Sequence, residues 1–138
     1  MLMSDKIFLD TNIIIYSYSQ DEPDKQQQAI ECLQSGQPWI STQVINETVN
    51  TLRRKFSLDF TQISAVINEL TQQLQVAIVS VKTIQSAIAI SEKYQFSYFD
   101  SLIIASSLEV GCDRLYTEDL NDGQQIDNKL TIFNPFLK

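Results

Sequence analysis

The chain contains no histidine. That removes every mechanism built on an imidazole base and every metal site with an imidazole ligand, including the common zinc hydrolase centres. Its two cysteines, Cys32 and Cys112, stand far apart in dissimilar surroundings. They suit neither a disulfide framework nor a zinc cluster, and they point to a reducing, cytoplasmic setting. Glycine and proline number three each, too few for a long flexible linker, so residues 1–138 read as one domain with a full core. No apolar run approaches the roughly 18 residues of a membrane span. Asp5 and Lys6 precede a run too brief for a signal peptide. Basic residues are scarce as well: 10 Lys and Arg face 17 Asp and Glu, a net charge of -7. Spread over a whole surface, that balance opposes non-specific nucleic-acid binding, although divalent cations gathered by acids reverse the sign locally. Hydrolytic chemistry here must rest on carboxylates, hydroxyls, lysine or thiol.

Short apolar runs alternate with helical periodicity. Ile7-Phe8-Leu9 is continuous rather than alternating, as in a central strand buried on both faces. It ends on Asp10, and Thr11 opens a helix to Tyr18. Asp21 or Glu22 can cap a second helix with Pro23 at its first position, closed by Gly36. Pro38-Trp39-Ile40 is a strand. Ser41 then caps a helix with Val44, Ile45, Val49, Leu52 and Phe56 at helical spacing. A helix from Asp59 or Thr61 buries Ile63, Val66, Ile67, Leu70 and Leu74. Strands follow at Val76–Val79, Arg114–Thr117 and Leu130–Phe133. Helices from Ser80, with Ile84, Ala87, Ile88 and Ser91 on one side, and from Tyr98 to Val110 lie between the first two. The pattern predicts an α/β sandwich with a central parallel sheet of about four to five strands. A helical hairpin between Ser41 and Leu74 would stand beside it as a wall or a dimer surface.

Four acids fall where such a fold gathers its chemistry. Asp10 ends a strand, and ligands of open α/β sheets bind beyond the carboxyl ends of strands. Glu47 flanks the apolar stripe of the Ser41 helix. Asp100 lies in the first turn of a helix otherwise almost free of charge, and Asp119 follows the strand at 114–117, with Asp122 three residues on. Each has a plain structural role open to it: Asp10 and Asp100 as helix-starting acids, Glu47 as a surface residue, Asp119 and Asp122 as turn formers. Taken together they can reach one sheet edge. Clustered carboxylates stay ionised together only with cations between them, and all-oxygen ligands select Mg²⁺ or Mn²⁺ over zinc. Two such ions about 4 Å apart activate a water and steady the leaving oxygen of a phosphodiester, with no need of histidine.

Leu9-Asp10-Thr11-Asn12, Asn46-Glu47, Tyr98-Phe99-Asp100 with its Ile103-Ile104-Ala105 helix, and Tyr116-Thr117-Glu118-Asp119 resemble the PIN-domain nucleases. They are most similar to the VapC-type ribonuclease toxins of toxin–antitoxin pairs. The resemblance spans essentially the whole chain and implies a PIN-like three-layer sandwich. It implies metal-binding acids at Asp10, Glu47, Asp100 and Asp119, with Asp122 as a fifth candidate. It implies that Thr117 and Asn12 orient water or the acids. It also implies an Mg²⁺-dependent endoribonuclease (Mn²⁺ an alternative), the toxin of a type II pair, with an RNA substrate, an antitoxin partner and a homodimer. The densest basic run, Arg53-Arg54-Lys55, lies about 9–12 Å beyond Glu47 along its helix at 1.5 Å per residue. It is the candidate for holding RNA phosphates; a solvated helix end is its alternative.

Two other functions compete. A phosphatase or phosphotransfer domain would use Asp10 as a nucleophile, but such sites favour a second acid two residues on, where Asn12 stands. A non-catalytic PIN-like module that binds RNA or protein would have little use for four gathered acids.

Overall fold

The computed structural model describes residues 5–137. The central strand β1 (Lys6–Leu9) follows directly from composition: Ile7, Phe8 and Leu9 are all fully buried, so both faces of the sheet are covered at this point. Around it run α1 (Thr11–Tyr18), α2 (Pro23–Gln34), β2 (Gln37–Ser41), α3 (Thr42–Arg54), α4 (Phe60–Gln73), β3 (Gln75–Ala77), α5 (Val81–Tyr94), α6 (Tyr98–Glu109), β4 (Arg114–Tyr116), β5 (Gln125–Ile126) and β6 (Leu130–Phe133). The sheet order is β3-β2-β1-β4-β6-β5, parallel throughout except for β5 on β6. The sheet thus has one strand more than the four to five expected. Strand β5 is only two residues long. It forms because Asp127 and Asn128 both take positive φ, the hairpin-turn pattern, and the Lys129 N–H closes the turn on the Ile126 carbonyl.

The chain leaves β1 toward β2 and β3, then crosses back to lay β4 on the other side of β1. That reversal opens a crevice at the carboxyl ends of β1 and β4. Register finishes the placement. Leu9 pairs with Tyr116, and the Asp10 N–H donates to the Tyr116 carbonyl at 3.0 Å, so Asp10 and Thr117 leave the sheet side by side.

The hairpin of α3 and α4 forms as expected, with α3 capped by Ser41 and α4 by a capping box on Asp59. Helix α6 is the innermost: residues 101–107 are buried without a break, which is why it carries no amphipathic pattern. Helix α5 differs from the sequence expectation. It buries Thr83, Ala87 and Ile90, while Ile84 and Ile88 stay 37% and 56% exposed. Helix α2 is capped by Ser35 and followed by Gly36, whose φ is +51° and where a Cβ would collide with the Asp5 carbonyl. Among the described residues, no helix is long and apolar enough to cross a membrane.

Candidate active site at the β1–β4 crevice

Asp10 is the N-cap of α1 and 6% exposed. Both of its oxygens are engaged. Oδ1 accepts from the Thr11 N–H at 2.7 Å, and Oδ2 accepts from the Thr117 hydroxyl at 2.7 Å. Its capping role and its place in the site are therefore the same fact. Burial pushes the Asp10 carboxyl up to about 6; the hydrogen bonds from Thr117 and Thr11 pull against this, and the charges of Asp119 and Glu47 push further upward. Glu47 and Asp119 are linked to Asp10 through the adjoining Thr11 and Asn12 and through Thr117, so the structure ties these three acids to one place.

Each neighbour is tied in by its own partners. Glu47 accepts from the Thr11 hydroxyl at 3.2 Å and from the Gln43 amide, one turn earlier on α3, at 3.2 Å. Asp119 is exposed and accepts from the Asn12 amide at 3.0 Å. Its N–H donates to the Thr117 oxygen at 3.1 Å, so one buried hydroxyl serves both Asp10 and the Asp119 backbone. The Asn12 side-chain oxygen Oδ1 accepts from the Glu118 N–H at 3.3 Å. Thr117 and Asn12 thus contact the acids directly. Sequence reasoning missed Thr11 and Gln43. The signals were available: Thr11 directly follows the strand-ending acid, and Gln43 precedes Glu47 by four residues on a helix.

Asp100 sits half-buried in the first turn of α6, its N–H held by the Ser97 hydroxyl at 3.2 Å. Among the described residues its carboxylate accepts no hydrogen bond. Asp122 is used differently, accepting from the Asn134 N–H at 2.8 Å and so fastening the C-terminal segment.

The donor chemistry fits a hard divalent cation. It is all oxygen, it draws acids from β1, α3 and the segment after β4, and it contains a carboxyl raised by burial and by neighbouring charge. In the conformation described, the acids turn to hydroxyl and amide partners, and no three Asp, Glu or Cys side chains among the described residues form a ready cation cage. Cys32 and Cys112 are buried free thiols, pushed up by burial to about 11 and about 12, which leaves them inert as nucleophiles.

A cleft of about 680 Å³ continues from the acids along α1, lined by Thr11, Asn12, Ile15, Tyr16, Lys55 and Phe56 among others. The basic run divides here. Lys55 faces the cleft. Arg53 is spent on the chain itself, donating to the Leu58 carbonyl at 3.1 Å and lying 4.8 Å over the Phe60 ring. Arg54 is exposed.

No curated protein matches the sequence. Among solved structures, a toxin–antitoxin complex from Klebsiella pneumoniae matches with a TM-score of 0.73 at 19% identity, over 94% of this chain and 98% of that one. VapC20 of Mycobacterium tuberculosis, described as a sarcin–ricin-loop-cleaving toxin, matches at 0.67 and 18%, over 82% and 89%. VapBC2 from Rickettsia felis, bound to a promoter DNA fragment, matches at 0.67 and 16%, over 92% and 96%. At these identities the likeness concerns the fold. The family model for the PIN domain matches residues 7–125, from the start of the central strand to β5, and the chain belongs to the PIN domain family.

Proposed function

We propose that this chain is an endoribonuclease that depends on Mg²⁺ or Mn²⁺ and acts as the toxin of a toxin–antitoxin pair. The observation that carries the reading is the convergence of Asp10, Glu47 and Asp119 at the β1–β4 crevice of a chain with no histidine and no reactive thiol. Asp10, Asp100, Asp119 and Glu47 would hold the cation. When bound, it supplies charge neutralisation at the phosphodiester and a water of lowered pKa. The chain's own residues do the rest. Asp10 is held at both oxygens, so its orientation is fixed before loading. Thr117 keeps Asp10 and the Asp119 backbone in one arrangement. Glu47, steered by Thr11 and Gln43, holds or orients the attacking water. Water adds to phosphorus and a ribose oxygen leaves, with no covalent enzyme intermediate. Lys55 supplies a cation for a phosphate entering along the cleft.

The partners belong to the same proposal. Two of the relatives are toxin–antitoxin assemblies, which supports an antitoxin for this chain. A second copy of the chain would cover α5, where Val81, Ile84 and Ile88 make an exposed stripe beside Ile78, at 70%, 37%, 56% and 71% exposure. The test of the catalytic reading is cleavage of single-stranded RNA in Mg²⁺, abolished by EDTA and by Asp10→Asn in a protein that remains folded. Undiminished cleavage by that variant overturns it.

A further inference from the structure

Asp119 is exposed, so packing does not hold it. Its neighbour Glu118 is fastened firmly, by partners other than those of the acids. Glu118 accepts from the Tyr16 hydroxyl at 2.8 Å and from the Lys25 ammonium at 2.6 Å, and Lys25 also donates to the Tyr16 oxygen at 3.1 Å. Lys25 lies 4.6 Å over the Tyr16 ring and 5.4 Å over Phe136, whose ring meets Tyr16 edge-on at 4.9 Å. Tyr16 is one helical turn after Asn12 on α1. One face of α1 therefore grips two consecutive residues: Asn12 takes Asp119, and Tyr16 takes Glu118. Lys25, on α2, ties that grip to a second helix.

We propose that Tyr16, Lys25 and Glu118 form a positioning clamp, which fixes the segment carrying Thr117 and Asp119 and thereby sets the crevice's affinity for a divalent cation. None of the three side chains hydrogen-bonds to Asp10, Glu47 or Asp119; they act through the backbone between Thr117 and Asp119. The two half-exposed partners, Lys25 and Glu118, would do little for global stability as a surface pair, at 32% and 28% side-chain exposure. Their geometric effect is local: they add a side-chain anchor at Glu118 to the bonds that Asn12, Thr117 and Asn134 already make to this segment. This function of the clamp rests on the metal-dependent reading above. The clamp itself does not, since it can be tested without metal.

The experiment compares the parent with Glu118→Gln, Lys25→Met and Lys25→Arg, by amide exchange at Asp119 in EDTA and by calorimetric titration with Mn²⁺. Glu118→Gln and Lys25→Met should speed exchange of the Asp119 amide about tenfold and weaken Mn²⁺ binding about five- to tenfold, with little change in melting temperature. Lys25→Arg, which keeps charge and donors, should restore both. In an Asp119→Asn background, Glu118→Gln should weaken Mn²⁺ binding no further. An unchanged Asp119 amide overturns the clamp. Faster exchange with unchanged Mn²⁺ affinity overturns its role at the site. A parent that binds no Mn²⁺ overturns the metal reading and that role together, while the amide exchange still judges the clamp.

Discussion

Replacing Asp10 with asparagine is expected to make the metal-free protein more stable at pH 8. Burial holds the Asp10 carboxyl at about 6 in the fold against an ordinary 3.8. The folded state keeps its proton where the unfolded chain has lost it, so ionisation of Asp10 costs stability as pH rises. The cost is absent below the unfolded value, grows between about 4 and 6, and is complete above about 6. At 1.36 kcal/mol per pH unit, a gap of about two units comes to about 3 kcal/mol. Asparagine keeps the shape but cannot accept from both Thr117 and the Thr11 N–H, a loss of about 1 kcal/mol. The net gain of about 2 kcal/mol should raise Tm by roughly 6–8 °C for a chain of this size. At pH 4.5 the penalty has fallen to about 1 kcal/mol, which the lost hydrogen bond cancels, so the two proteins should melt together. Circular-dichroism melts in EDTA from pH 4.5 to 8 read this directly. A variant less stable than the parent at pH 8, or a gap that does not change with pH, would refute the picture of a carboxylate strained by burial and by its acidic neighbours.

Four further outcomes are expected. Mg²⁺ or Mn²⁺ at about 100 times its Kd should stabilise the parent by about 2.7 kcal/mol in thermal melts, and a protein carrying both Asp10→Asn and Asp100→Asn should show almost no shift. Lys55→Ala should weaken RNA binding and flatten its salt dependence, because fewer counterions are released, whereas Arg53→Ala should mainly lower Tm by loosening the start of α4; filter-binding titrations over a salt series separate the two. Gly36→Ala should cost about 1–3 kcal/mol in urea unfolding, since the left-handed backbone and the Asp5 carbonyl both reject a Cβ. Ile88→Glu should reduce self-association in sedimentation velocity while leaving Tm nearly unchanged, because Ile88 is 56% exposed.

What the sequence disclosed, and what it withheld, follows the range of the forces involved. Asp10 was legible because a continuous apolar strand ending on an acid is a local pattern, and α6 because a helical segment almost free of charge suits a core. The buried side of α5 was not. Two stripes overlap on that helix and share Ala87, and periodicity alone does not choose between Ile84 with Ile88 and Thr83 with Ile90. Packing against α6 decides for the second. Strand β5 escaped because two residues carry no period, although Asp127-Asn128 carried the turn signal. Tyr16, Lys25 and Glu118 escaped for a different reason: their contacts join residues up to 102 positions apart. The Arg53 contacts were hidden in the same way, because its carbonyl and ring partners belong to the following loop and helix.

The central claim is that acids at the β1–β4 crevice direct a water to a phosphodiester. Its most direct test is mass spectrometry of RNA fragments produced in Mg²⁺ and H₂¹⁸O by the parent and by Asp10→Asn. The parent's fragments should carry one ¹⁸O in the terminal phosphate and no 2′,3′-cyclic phosphate at any time point, and cleavage by the variant should fall by more than about 100-fold. A cyclic phosphate formed first, or equal cleavage by both proteins, would contradict it.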